Sequence, residues 1–330
     1  MSKYPKVALV GCGYWGKNLC RNFVSLGALE MVVDATETGR ANARSIAPEA
    51  LFFSIVEDAL TNPDIQALAL ATPAETHAEL AIRAMELGKD VFVEKPMALT
   101  LEDAEKMKKV AEETGRILMV GHLLEYHPAV LKLREMIASG ELGKINYIYS
   151  NRLNFGKVRT EENALWSFAP HDVAVILRLV GEEPEDVSAS GGSYLTKGIS
   201  DTTMSNLRFA DDCRAHIFVS WLHPFKEQRL VVVGSKKMAI FNDVAPLGQK
   251  LQLYPQNVEF DGNVPLLKKY DAQFIDHVNT EPLLEECTHF IKCIQSRKQP
   301  LTDAQSGIDV LKVLHACQQS IEQNGVPVSL

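Results

Sequence analysis

The sequence predicts an α/β protein with an N-terminal doubly wound parallel sheet, followed by a C-terminal α+β domain built on a mostly antiparallel open sheet. Three observations carry that prediction. Through the first 120 residues short apolar runs alternate with helix-periodic segments, the rhythm of βαβ units. Beyond about residue 122 the runs lengthen and follow one another with polar alternation, as antiparallel strands do. Between the first apolar run and the first helical segment stands GCGYWG, residues 11–16, a glycine spacing suited to a tight strand-to-helix turn.

The first-domain strands are read at KVALVG (6–11), EMVVDA (30–35), LFFS (51–54), ALALATP (67–73), DVFVEKP (90–96) and ILMVGH (117–122). They are short and nearly continuous in apolar residues, the pattern of strands covered on both faces. Segments 15–27, 74–87 and 100–115 repeat apolar residues at three and four, which predicts helices with one buried stripe. A helix over PAVLKLREMIASG follows. After it come the strand-like runs INYIYSNRLNF, MSNLRFA, RAHIFVSWL, RLVVVGS and KMAIFND, and two helices at 282–297 and 303–322 end the chain. The change of texture sets a dinucleotide-binding domain at 1–121. A substrate-binding and oligomerisation domain occupies 122–330, its last helices able to pack back on the first.

Composition excludes several function classes. A chain of 330 residues with 46% hydrophobic content can bury two ordinary cores. The net charge of −8 argues against nucleic acid or an anionic membrane surface as partner. The six cysteines (Cys12, Cys20, Cys213, Cys287, Cys293, Cys317) show no CxxC pair and no zinc spacing, so no metal site is expected and reduced thiols in the cytoplasm are. No apolar run approaches the roughly 18 residues a membrane span needs.

Gly11, Gly13 and Gly16, with Tyr14 and Trp15 between them, follow a strand and open a helix. Backbone N–H groups and the helix dipole can there approach a pyrophosphate. Asp34 ends the next strand, where a carboxylate can accept hydrogen bonds from an adenosine ribose and repel a 2′-phosphate, which favours NAD over NADP. Arg40 stands close enough in sequence to matter for a 2′-phosphate and is read as a surface residue. In VEKP the strand ends in Glu94, Lys95 and Pro96 at the sheet edge where ligands bind. A partly buried lysine there can hydrogen-bond a substrate hydroxyl or take its proton as hydride leaves carbon. Glu94 can hold or tune it, and a cis bond at Pro96 would aim it.

With GCGYWG, ATPAETH (71–77), VEKP and a β-rich second half in that order, the chain resembles the Gfo/Idh/MocA family of nicotinamide-dependent sugar oxidoreductases over essentially its whole length. The resemblance implies a Rossmann first domain, NAD as cofactor and Lys95 in the active site. It also implies that Thr72, Pro73 and His77 flank the nicotinamide side of the cofactor.

In the second domain WSFAPHDVAVILRLVG is read as placing His171 and Asp172 at the start of an apolar helix, with Trp166 one turn earlier. His171 can exchange a proton near neutral pH and matches the histidine of the family's D-x-x-x-H pattern, a general acid/base, while Ser167 stands where that pattern has Asp. Asp172 is read as a helix cap. The segments NRLNFGKVRTEENALWSFAPHD and SWLHPFKEQRLVVVGSKKMAIFND resemble the nucleotide-sugar branch, whose enzymes oxidise C3 of UDP-N-acetylglucosaminuronate for surface polysaccharide assembly. An acidic protein must meet the anionic charges of such a ligand with local cations. Arg152, Lys157, Arg159, Lys226 and Arg229 are the candidates, with Arg152 and Lys226 foremost, and Asn151, Asn154 and Asn163 are candidates for the sugar. Other sugars, inositol, or a non-catalytic NAD-binding regulator are the alternatives. Apolar residues on both alternations of RAHIFVSWL and INYIYSN predict a homo-oligomer, tetramer before dimer, through the second sheet.

Overall fold

The computed structural model describes residues 4–330, and the chain divides into two compact units. The first unit runs to Tyr126 and takes up the chain again over Glu281–Leu311; the second holds His127–Thr280 and Lys312–Leu330. The first boundary thus falls five residues beyond the expected 121.

In the first unit β1 (Val7–Val10), α1 (Gly16–Ser25), β2 (Leu29–Val33), α2 (Glu37–Ile46), β3 (Leu51–Phe53), α3 (Glu57–Leu60), β4 (Ala67–Leu70), α4 (His77–Glu86), β5 (Asp90–Glu94), α5 (Leu101–Thr114) and β6 (Leu118–Gly121) alternate. The sheet is parallel throughout, in the order β3-β2-β1-β4-β5-β6. Strand order reverses at β1, the switch point at which such sheets bind ligands. Register makes this concrete. Val10 lies beside Leu70, and Leu70 beside Val93, so the segments that follow β1, β4 and β5 leave the sheet level with one another. Thr36 and Thr100 accept from backbone N–H groups at the starts of α2 and α5, and Gly115 ends α5 with φ +64°.

In the second unit α6 (Pro128–Ala138), β7 (Ile145–Phe155) and α7 (Ala164–Val180) precede β8 (Asp186–Gly192), β9 (Thr202–Arg208), β10 (Arg214–Ser220), β11 (Leu222–Gly234), β12 (Met238–Asn242) and β13 (Leu251–Tyr254). A separate hairpin, β14 (Asn257–Asp261) and β15 (Val264–Lys268), and the short β16 (Gln273–Phe274) follow. After helices α8 (Pro282–Ser296) and α9 (Ala304–Glu322), β17 (Val328–Ser329) closes a nine-stranded sheet ordered β16-β13-β12-β11-β7-β10-β9-β8-β17. All its pairs are antiparallel except β7 with β10. One face buries Ile148, Leu207, Ile217 and Val219. On the other Tyr149 stacks on His216, and Tyr147 and Met204 stay 41% and 47% exposed. Trp221 and Ser220 are both buried, so the alternation expected of RAHIFVSWL holds for His216–Val219 and fails at its end.

α8 belongs to the first unit. Leu283, Cys287, Phe290, Ile291 and Ile294 form its buried stripe, and the Phe290 ring packs edge-on against Phe23 of α1 and Phe92 of β5.

Candidate active site

The glycine turn is a backbone cradle. Gly11 has φ +91°, and a Cβ there would stand 2.7 Å from the Ala71 carbonyl oxygen; one on Gly16 would stand 2.1 Å from the Gly11 oxygen. No side chain fits at either place. Gly13 is different: a Cβ on it would meet nothing within 4 Å among the described residues, so the turn is open where a phosphate would approach. Trp15, the N-cap residue of α1, makes no side-chain cap hydrogen bond. The residues present therefore fit a dinucleotide, its pyrophosphate against the first turn of α1.

Asp34 is fixed at the end of β2. Its carboxylate accepts from Cys12 N–H at 2.7 Å, from Thr36 N–H at 2.8 Å and from the Thr36 hydroxyl at 2.7 Å. Burial would raise the carboxyl, but these bonds and the Arg40 charge outweigh it and hold Asp34 below the usual range. Arg40 donates to the Asp34 carbonyl at 2.7 Å and to the Glu37 carboxylate at 2.8 Å.

Lys95 is half-buried directly after β5, and its bond to Pro96 is cis. Glu94, 8% exposed, accepts from the Trp15 indole N–H and, at 3.3 Å, from the Lys95 N–H, tying the glycine turn to the lysine. Burial, opposed by the Trp15 bond and the Lys95 charge, pushes the Glu94 carboxyl up to about 7. His77 corrects the expectation of a cofactor contact: it is 1% exposed, and its ring nitrogens face the Pro96 and Thr72 carbonyls, each at 2.9 Å. Burial lowers its pKa and the two carbonyl contacts oppose that, and each ring nitrogen that carries a proton donates to the carbonyl it faces. His77 is thus a strut that holds the Thr72–Pro73 segment against the lysine turn.

Two further acids went unread in the sequence. Glu286 is 1% exposed on the apolar stripe of α8, one turn before Phe290, and Glu125 is 2% exposed just after β6. Burial, reinforced by the charges of Glu94 and Glu125, pushes the Glu286 carboxyl well above the carboxylate range. The signal was available: an acid stood among Leu283, Cys287 and Phe290 at helical spacing.

The second unit holds the other candidates. α7 begins at Ala164, so His171 and Asp172 stand mid-helix and not at its start. Asp172 is no cap. It is 2% exposed and takes the Arg152 guanidinium through two oxygens, at 2.7 and 3.2 Å, with the Ser150 hydroxyl at 2.6 Å. Arg152 is therefore committed to pinning β7 to α7 beside the half-buried His171, and is withdrawn as a ligand cation. Asn163 is the cap: its Oδ1 accepts from Trp166 N–H at 3.2 Å, and its amide donates to Gln318 at 2.8 Å. Trp166 packs edge-on against His315. Strand register separates the remaining cations. Arg229 pairs with Asn151, one position from Arg152, so Arg229 and Arg152 face opposite sides of the sheet, and Asn154 shares the side of Arg152. Asn151 donates to Glu227 at 3.0 Å, and Arg159 lies with Glu161 and Glu162. Lys157 and Lys226 are exposed.

An uncluttered glycine turn, a fixed carboxylate at the end of β2 and a lysine on the adjoining strand end fit one class: an oxidoreductase that works on a nicotinamide dinucleotide. Residues 5–122 match the oxidoreductase family with an NAD-binding Rossmann fold, and residues 130–240 match the GFO/IDH/MocA C-terminal domain. The chain belongs to the Gfo/Idh/MocA family, an oxidoreductase family with an NAD-binding Rossmann fold. It is 28% identical over 262 residues to the 2,7-anhydro-N-acetylneuraminate hydratase of Mediterraneibacter gnavus, covering 74% of this chain and 69% of that protein. It is 26% identical to the scyllo-inositol 2-dehydrogenase (NAD(+)) of Bacillus subtilis, over 100% of this chain and 97% of that one. To the UDP-N-acetylglucosamine 3-dehydrogenase of Acidithiobacillus ferrooxidans it is 25% identical, over 97% and 98%. A solved structure of that enzyme shares the fold, with TM-score 0.85, 22% identity, and 96% and 97% coverage.

Proposed function

We propose that this protein is an NAD-dependent dehydrogenase that oxidises the C3 hydroxyl of a UDP-N-acetylglucosaminuronate-type nucleotide sugar to the 3-keto sugar, in the cytoplasmic synthesis of surface polysaccharide sugars. The placement of Lys95 is the observation that carries the chemistry. Its turn is tied by Glu94 to the glycine loop and by His77 to the Thr72 segment, so the lysine and the cofactor turn are held as one rigid piece. NAD bound on that turn supplies the hydride acceptor. For Lys95 to take the hydroxyl proton while the O–H electron pair forms the C=O bond, its amine must first shed its own proton. His171, on α7, is the second proton-handling group, and Arg152 with Asp172 fixes the helix that carries it. The full-length similarity to a nucleotide-sugar 3-dehydrogenase supports the substrate, and Lys157 and Lys226 are exposed cations suited to the diphosphate.

A polyol is the second reading, favoured by the full-length similarity to a scyllo-inositol dehydrogenase. NADH absorbance decides between them in a panel of UDP-GlcNAc uronate, UDP-GlcNAc, free GlcNAc and scyllo-inositol. The proposal expects the UDP-uronate to give the highest kcat/KM; turnover of scyllo-inositol alone would replace it. Six unpaired, buried thiols are consistent with a reducing compartment, and among the described residues no helix is long and apolar enough to cross a membrane. The uncovered face of the nine-stranded sheet supports a homotetramer assembled through the second unit.

A further inference from the structure

The hairpin β14–β15 belongs to neither large sheet. Val258 opposes Leu267 and Phe260 opposes Pro265, while Glu259 opposes Leu266 and Asp261 opposes Val264. Directly opposed residues share a face of the ribbon. One face is therefore wholly apolar: Val258, Phe260, Pro265 and Leu267. The other carries Glu259, Asp261 and Lys268, with Lys268 3.6 Å from Glu259. Both faces stand in water: on the apolar face Val258 is 48%, Leu267 66% and Phe260 69% exposed, and on the charged face Val264 is 60% and Leu266 42% exposed.

A two-stranded ribbon of this length is marginal in water by itself and needs a surface to hold it. We propose that it is an arm that docks its apolar face on the second unit of another copy of this chain. Three features favour a second copy over a foreign partner. Each copy already offers a matching surface, the open face of the nine-stranded sheet, with exposed Tyr147 and Met204 and the stacked Tyr149 and His216. Two copies related by a two-fold axis use arm and sheet reciprocally. The contact area agrees: four such side chains cover on the order of 300 Å², well short of the roughly 800 Å² per partner that a stable interface needs. The arm can therefore extend a sheet-to-sheet contact but cannot hold a separate protein alone. Charge does not stand against it at the contact: copies of net charge −8 repel one another overall, but this face brings no charged side chain that would add to the repulsion.

The inference rests on the homo-oligomer proposed above and adds the element that locks it. The test uses the full-length protein and its Phe260→Asp, Leu267→Asp double variant, changed only at exposed positions. Light scattering and hydrogen exchange of residues 257–268 are followed over a protein dilution series. The expected result is that ribbon amides in the unaltered protein lose protection as its mass falls on dilution. The variant should lose at least half its mass at micromolar concentration and still bind NAD within twofold of the unaltered protein. An unaltered protein that is monomeric at every concentration would sink the oligomer reading, and the arm with it. An oligomer whose variant keeps the full mass would overturn the arm alone. So would ribbon protection that follows added nucleotide sugar and not protein concentration, which would make the ribbon a cover for its own chain.

Discussion

Replacing Glu94 by Gln should change how the stability of the first unit depends on pH. In the folded protein burial pushes this carboxyl from 4.5 up to about 7. At roughly 1.4 kcal/mol per pH unit, that difference amounts to about 3 kcal/mol. The sign follows from the direction. A carboxyl whose folded pKa is raised binds its proton more tightly in the native state, so its contribution is intact below pH 4.5 and drains away as pH rises to about 7. Gln cannot ionise, and its carbonyl still accepts from the Trp15 indole. Stability of the variant minus that of the unaltered protein should therefore climb by about 3 kcal/mol between pH 4.5 and pH 8. Urea unfolding across that range, read by hydrogen exchange of the β5 amides, measures it, and titrations common to both proteins cancel in the difference. A difference that stays flat over the range would refute the reasoning, because Glu94 would then ionise equally in the folded and unfolded chain.

Glu286→Gln should give a difference of the same sign, and a fall in stability at pH 8 would show that Glu286 carries a needed charge there. Lys95→Ala should lower kcat at least about a hundredfold, while calorimetry finds NAD affinity within a few-fold; near-normal turnover would remove the lysine from the mechanism. Gly16→Ala should abolish NAD binding, because its Cβ would lie 2.1 Å from the Gly11 oxygen. Gly13→Ala should leave urea stability within about 0.5 kcal/mol yet weaken NAD, since the methyl enters open space on the phosphate side. Asp172→Asn should cost about 3–5 kcal/mol in thermal or urea unfolding by leaving Arg152 charged and buried, and a loss under 1 kcal/mol would make that ion pair incidental.

The element pattern was legible in the sequence wherever the signal is local. INYIYSNRLNF is β7 residue for residue, and five of the six strand-like runs of the first half contain the observed strand, while EMVVDA misses only the first residue of β2, Leu29. Of the strands that went unread, β8 (DVSASGG) is small and polar, β16 and β17 are two residues each, and β13 (LQLY) is four residues whose only strand signal is two alternate leucines. β14 and β15 do carry apolar residues, but sorting them by face requires the hairpin register.

GCGYWG, Asp34 and VEKP were readable as a site because their chemistry depends on backbone geometry at strand ends, which neighbouring residues dictate. Sequence by itself therefore determined the glycine turn after β1, the carboxylate after β2 and the lysine after β5. What only the tertiary structure decided is which charged side chain meets which. Arg152 and Arg229 look alike in a string of letters, yet strand parity sends them to opposite faces, and Asp172 claims the first. His77 reads as a cofactor-flanking residue until the Pro96 and Thr72 carbonyls close on it, and Glu286 is some 190 residues from Glu94 along the chain. Burial and pairing are properties of contacts distant in sequence. Desolvation then converts those contacts into the charge states on which the chemistry depends.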